Sequence, residues 1–234
     1  MKEGKLYLIP TPLGDYNPAL VLPKPVLETL RTISLYFVEE VRTARRFLSA
    51  AGLKGHIDGL EFHEINEHST VEQIEEMGQL LGERDAALIS EAGLPAVADP
   101  GAQLVALAHA SDVEVIPMVG PSSLMMALMS SGLNGQCFAF TGYLPVKPDA
   151  RRGAIADLER ISARLSQSQI IIETPYRNDS LLSDLLSTLK PSTRLCIAAD
   201  ITLPTQCIRT MPVSGWRKAI PTIGKRPCVF ILLA

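Results

Sequence analysis

Residues 86–101, Ala86-Ala87-Leu88-Ile89-Ser90-Glu91-Ala92-Gly93-Leu94-Pro95-Ala96-Val97-Ala98-Asp99-Pro100-Gly101, decide the fold. An apolar run stops at Ser90, and the stretch after it is punctuated by glycine and proline. A short apolar run bounded by turn residues reads as a strand buried on both faces. Val113 to Met118, running into Val119-Gly120-Pro121-Ser122-Ser123, repeats the pattern. Each loop therefore sits at the carboxyl end of a strand, where open α/β sheets bind ligands.

Working outward, strand-like runs lie at Lys5 to Ile9, Leu35 to Val38 and Glu61 to Ile65, with helical segments between most of them. Such alternation predicts a mainly parallel sheet. Val71 to Leu81 reads as a helix with Ser69 or Thr70 as N-cap, and Glu72, Glu75 and Glu76 form its solvated face. After Pro121, Ser122 caps a helix over Ser123 to Ser131, which Gly132 ends. A second set follows: strands near 136–141, 169–173, 194–199, 207–211 and 227–233, and helices near 150–166 and 178–189. The fold class is α/β, in two α/β domains of similar size, residues 1–117 and 118–234.

The chain is 234 residues long, 47% hydrophobic and 20% charged, with net charge −3, an ordinary composition for a packed globular protein. Its four cysteines form no C-x-x-C pair and lie in or beside apolar runs, which predicts buried free thiols and a reducing, cytoplasmic setting. No segment reads as a secretion signal or a membrane span. The slight acidity gives no support for broad nucleic-acid binding, although Arg42, Arg45, Arg46, Arg151 and Arg152 supply local positive charge. Nor does any residue set have metal-ligand spacing.

The first loop, Pro10-Thr11-Pro12-Leu13-Gly14-Asp15, is not a dinucleotide fingerprint, and no Walker lysine follows. Two prolines remove backbone donors, so a phosphate cradle is not expected there.

Together, Pro10 to Asp15, Ala86 to Gly101, Val115 to Ser123, Phe138 to Pro145 and Ile170 to Arg177 resemble the tetrapyrrole methylase superfamily of S-adenosylmethionine-dependent methyltransferases. The branch that methylates the cytidine ribose 2′-oxygen of small-subunit rRNA is the nearest likeness. Its motifs are matched by Pro10-Thr11-Pro12, by Glu39-Glu40-Val41-Arg42 and by His63-Glu64-Ile65-Asn66-Glu67. The resemblance implies a homodimer of two-domain α/β chains holding S-adenosylmethionine in a cleft between the halves. It assigns the donor to Leu13, Ala92, Gly93, Leu94, Val97, Ser122 and Ser123, with Thr174 and Ile201 from the second half. The candidates for the chemistry and the acceptor are Glu39, Glu40, Arg42, His63 and Asn66.

Plainer readings stand beside these. Gly93 and Gly101 suit a turn with or without a ligand, and Glu39, Glu40 and Arg42 suit a solvated ion-pair cluster at a helix start. His63 reads more readily as a hydrogen-bonded structural histidine than as a base, and Met125, Met126 and Met129 as core filler. The chain also departs from the branch. Ala199 and Leu203 stand where that branch has arginine and lysine, which removes two cationic contacts to phosphate. Three functions are therefore expected in turn: methylation of rRNA ribose or a related RNA; methylation of a tetrapyrrole or other small molecule; and donor binding or scaffolding without catalysis.

Overall fold

A computed structural model describes residues 3–234, so the first two positions of the expected first domain lie outside the described residues. The chain forms two compact units that divide between Ser122 and Ser123. The sequence reading draws this line after residue 117.

In the first unit, β1 (Leu6–Ile9), β2 (Leu35–Val38), β3 (Glu61–Glu64), β4 (Ala86–Ile89) and β5 (Val115–Pro117) build a five-stranded sheet in the order β3-β2-β4-β1-β5. Every pairing in it is parallel. The strands are connected through α1 (Lys24–Leu30), α2 (Val41–Leu48), α3 (Val71–Gln79) and α4 (Ala102–Ala110).

Side chains alternate between the two faces of this sheet. Tyr36, Val38, Ala87 and Ile89 pack with Val26 and Leu30 of α1 and Ala44 and Leu48 of α2. Leu35, Phe37, Ala86 and Leu88 pack with Ile74 of α3 and Leu104 and Ala108 of α4. Burial on both faces explains why β2 and β4 read as continuous apolar runs. Tyr36 keeps its buried hydroxyl satisfied by donating to the Leu30 carbonyl at 2.7 Å. Thr70 is the N-cap of α3, in a reciprocal capping box with Gln73.

The second unit contains α5 (Ser123–Ser131), β6 (Phe138–Tyr143), α6 (Pro148–Leu165), β7 (Ser168–Ile172), α7 (Asn178–Thr188), β8 (Arg194–Ala199), β9 (Cys207–Pro212), α8 (Val213–Trp216) and β10 (Cys228–Leu233). Its five-stranded sheet has the order β6-β7-β10-β8-β9. Only β6 and β7 run parallel, and the other pairings are antiparallel. On one face Ile171, Ile197, Phe230 and Leu232 pack with Ile155, Leu181, Leu185 and Trp216. Helix α5 packs against β8, β9 and β10, with Leu124, Ala127 and Leu128 buried. Gly132 takes the left-handed backbone expected of it, at φ 67°.

Two expectations about side chains need correction. Cys196 and Cys228 are buried, but Cys137 is only partly so and Cys207 is exposed, because β9 is an edge strand. All four are free. Met129 is 82% exposed and Met125 40%, so neither is core filler. Among the described residues no helix is long and apolar enough to cross a membrane.

Candidate functional site

Because all strands of the first sheet are parallel, the segments leaving their carboxyl ends gather along one edge. These are the proline-stiffened loop after β1, Glu39 and Glu40 after β2, Ile65 and Asn66 after β3, the Ser90 to Gly101 loop after β4, and Met118 to Ser122 after β5.

Three of these segments are tied together. The Thr11 N–H donates to the Gly93 carbonyl at 2.9 Å, and the Gly93 N–H returns a bond to Thr11 at 3.2 Å. The Thr11 hydroxyl adds a bond to the Ser90 carbonyl at 3.3 Å. Gly93 has φ +82°, and a Cβ there would lie 3.2 Å from Leu13 Cδ2 and 3.7 Å from the Pro121 carbonyl oxygen. Glycine is thus required twice over, by its backbone conformation and by the close approach of the neighbouring loops. The β5 segment leans on the first loop as well: a Cβ on Gly120 would overlap Pro10.

The charge along this edge is negative. The Glu91 N–H donates to the Glu39 carboxylate at 3.3 Å. Burial and then the nearby Glu39 charge push the Asp99 carboxyl up to about 6, and the Ser90 hydroxyl beside it only partly offsets the rise. Glu91 is raised for the same two leading reasons, burial first. Glu40 moves the opposite way, since the Thr43 hydroxyl and the backbone N–H groups of Arg42 and Thr43 all donate to it. Glu40 is the N-cap of α2. Beside these groups is a cavity of about 290 Å³ lined by Thr11, Pro12, Tyr16, Arg46, Phe47 and Glu91, among others. Ala92 also lines it. Glu39, Glu40 and Ser90 line a small recess that shares Thr11, Thr43, Phe47 and Glu91 with it.

The structure brings Leu13, Gly93, Ala92, Glu39 and Glu40 to this edge. Val97, farther along the same loop, is 42% exposed. Arg42 is exposed on the first turn of α2. His63 is engaged elsewhere: its Nε2 lies 2.8 Å from Glu61, and its ring tilts against Phe37. Asn66 accepts from the His68 N–H at 3.0 Å and so shapes its own turn. In the second unit, Ser123 opens α5, and the Thr174 N–H donates to the Glu173 carboxylate at 2.7 Å. Glu173 also receives two bonds from Arg177. Ile201, just beyond β8, is 6% exposed. Sequence reading passed over Thr11, Phe47, Glu91 and Asp99 as site residues, although the last two lie inside the loop that revealed the fold. Their signal was two acids flanking a glycine turn. Among the described residues, no group of three or more His, Cys, Asp or Glu is placed to hold a metal.

No family model matches the chain. Solved structures with similar folds include uroporphyrin-III C-methyltransferase from Thermus thermophilus complexed with S-adenosylhomocysteine (TM-score 0.59, 16% identity, covering 98% of this chain and 97% of that one). The methyltransferase CobJ is also similar (TM-score 0.63, 18% identity, 98% and 94% covered). At such identities these likenesses show the fold, which is that of the tetrapyrrole methyltransferases. In sequence, the chain is 30% identical over 209 residues to ribosomal RNA small subunit methyltransferase I of Vibrio cholerae, covering 89% of this chain and 69% of the relative. It is 34% identical over 196 residues to the protein of that name from Xylella fastidiosa, covering 84% and 67%. The one from Escherichia coli O157:H7 is 29% identical over 233 residues, covering 98% and 78%. The chain belongs to the family of ribosomal RNA small subunit methyltransferase I.

Proposed function

We propose that this chain is an S-adenosylmethionine-dependent methyltransferase acting on the ribose 2′-oxygen of small-subunit rRNA, as a cytoplasmic homodimer. The observation that carries the donor assignment is the pairing of carboxylates with a closely approached glycine turn at one sheet edge. Glu39, Glu91 and Asp99 repel a polyphosphate and favour a cation. Gly93 lets the loops of Leu13 and Pro121 close in on the turn, and Leu13 supplies an apolar wall beside it. When bound, S-adenosylmethionine supplies an electrophilic methyl group on a positively charged sulfur. The residues proposed to hold it are Leu13, Ala92, Gly93, Leu94, Val97 and Ser122 in the first unit, and Ser123, Thr174 and Ile201 in the second.

The protein's own contribution is to position the acceptor and take its proton. Glu40 is occupied as a helix cap and His63 by Glu61. Asp99, held near 6, is still ionised at neutral pH yet more basic than an ordinary carboxylate, and we assign it the proton of the ribose hydroxyl. Arg42 and Arg46, on exposed turns of α2, are assigned to RNA phosphates.

Calorimetry with S-adenosylhomocysteine tests the donor, and tritium-methyl transfer to small ribosomal subunits, total RNA and tetrapyrrole precursors tests the acceptor. Label in small-subunit rRNA at a site resistant to alkaline cleavage supports the reading. Label confined to tetrapyrroles would reassign the acceptor, and donor binding without turnover on any pool would favour a scaffold.

A further inference from the structure

The most exposed aromatic ring among the described residues is that of Tyr176, at 79%. A lone exposed side chain is ordinary. This one is held on a braced mount and paired with a cation, all within the second unit. Tyr176 lies in the turn from Pro175 to Arg177, between β7 and α7, and the Arg177 N–H closes that turn on the Thr174 carbonyl at 2.9 Å. Two side chains stitch it to the segment leading into β10. The buried Asn178 donates to the Arg226 carbonyl at 2.8 Å, and the Asp179 carboxylate accepts from the Ile223 N–H at 2.7 Å. Lys225, between these anchors, places its ammonium 4.8 Å from the centre of the Tyr176 ring. Since so much of the ring is exposed with a cation over one face, the opposite face is open.

Around this ring positive charge faces outward, while the carboxylates are committed. Lys225 is exposed, and the Arg177 side chain, 31% exposed, is held by bonds of 3.0 and 2.6 Å to the fully buried Glu173 side chain. The Asp200 carboxylate accepts from the Thr205 hydroxyl at 2.8 Å, and Asp179 serves the backbone as described. Arg226 belongs to the mount, since its guanidinium turns back to the Ile223 and Thr222 carbonyls at 2.9 and 3.1 Å. The same segment runs beside position 199, one of the two places where the sequence lacks a cation: Cys228 pairs with Ala199, and the Asp200 N–H donates to Pro227 at 2.9 Å.

We infer that this edge of the second unit is a platform for single-stranded RNA, on which a base stacks against the open face of Tyr176 while Lys225 and Arg177 meet neighbouring phosphates. An aromatic face beside fixed cations matches a base and its backbone. An apolar protein surface laid there would bury the two cations without partners. The inference rests on the RNA reading above and adds a contact in the second unit to those assigned to α2.

The test uses the full chain, with small-subunit rRNA as the probe in filter binding and as the acceptor in methyl transfer. Tyr176→Ala should weaken rRNA binding about 5–100-fold and raise KM for rRNA with kcat kept. It should melt within about 2 °C of wild type, as an exposed substitution does. Tyr176→Phe, which keeps the ring, should bind within about twofold of wild type. Lys225→Ala should make the log–log salt dependence shallower by about 0.7. Wild-type affinity in Tyr176→Ala overturns the inference and leaves the ring to a protein partner. Equal losses in Tyr176→Phe and Tyr176→Ala also overturn it, as does an unchanged salt slope in Lys225→Ala, which stands even if Tyr176→Ala fails to fold. Wild-type protein that neither binds nor methylates small-subunit rRNA overturns the RNA reading itself, before any variant is compared.

Discussion

Thr11 and Gly93 exchange both of their backbone hydrogen bonds, at 2.9 and 3.2 Å, and so clamp the loop after β1 to the loop after β4. The clamp works only because Gly93 turns with a positive φ and leaves space toward Leu13 and Pro121.

Filling that space should remove donor binding. Gly93→Asp puts a side chain against Leu13 and adds a charge, and calorimetry with S-adenosylhomocysteine should show affinity at least 10-fold weaker. Affinity equal to wild type would place the donor away from this turn.

Asp99 makes stability depend on pH. Its folded value of about 6 lies above the ordinary 3.8, so the folded state holds the proton more tightly. Stability is therefore highest below 3.8 as far as this group is concerned, and falls as pH rises to about 6. Undiminished, that gap corresponds to roughly 3 kcal/mol, and solvent reaching the half-buried group reduces it to about 1–2 kcal/mol. Asp99→Asn should raise the unfolding free energy measured by urea denaturation at pH 8 by that amount and change it little at pH 4. It should also slow methyl transfer by roughly 100-fold if Asp99 takes the ribose proton.

The buried Arg151 donates to the Asp184 carboxylate at 2.6 Å and to the Ser180 hydroxyl at 2.8 Å, joining α6 to α7. Asp184→Ala should cost about 3–5 kcal/mol by stranding the guanidinium. Adding Arg151→Met should restore most of the loss in chemical denaturation, and a purely additive double variant would show that the pair is not coupled.

Arg42 is exposed and assigned to phosphate. Arg42→Ala should weaken binding to small-subunit RNA and make its log–log salt dependence shallower by about 0.7–0.9, while leaving S-adenosylhomocysteine affinity within about twofold. An unchanged salt slope would remove Arg42 from the RNA contact.

The parts legible in sequence were those set by local chemistry. β2 and β4 fall where their apolar runs begin and end, because each is buried along its length and flanked by polar or turn residues, and β8 is buried at every position after Arg194. Helix α4 received no bounds from the sequence, since its alanine-rich stretch carries little polar contrast. β6 runs on to Tyr143 past an irregularity near the left-handed Gly142, which alternation does not reveal. In the site, the loops and Gly93 could be read from glycine and proline alone. The raised Asp99 could not, because it depends on Glu39 from another strand end. The left-handed backbone of Ala96 and Ala98, at φ 63° and 64°, was equally hidden, since alanine carries no turn signal of its own.

The strand order also sets a timetable for synthesis. In the first sheet β1 lies between β4 and β5, so that sheet can close once residue 117 has been made. In the second, β10 is the middle strand, paired to β7 on one side and β8 on the other. Until residue 233 has been made, β6 and β7 remain parted from β8 and β9, with two open edges exposed. A stop codon shortly before Cys228 would therefore release a finished first unit joined to an aggregation-prone half-sheet.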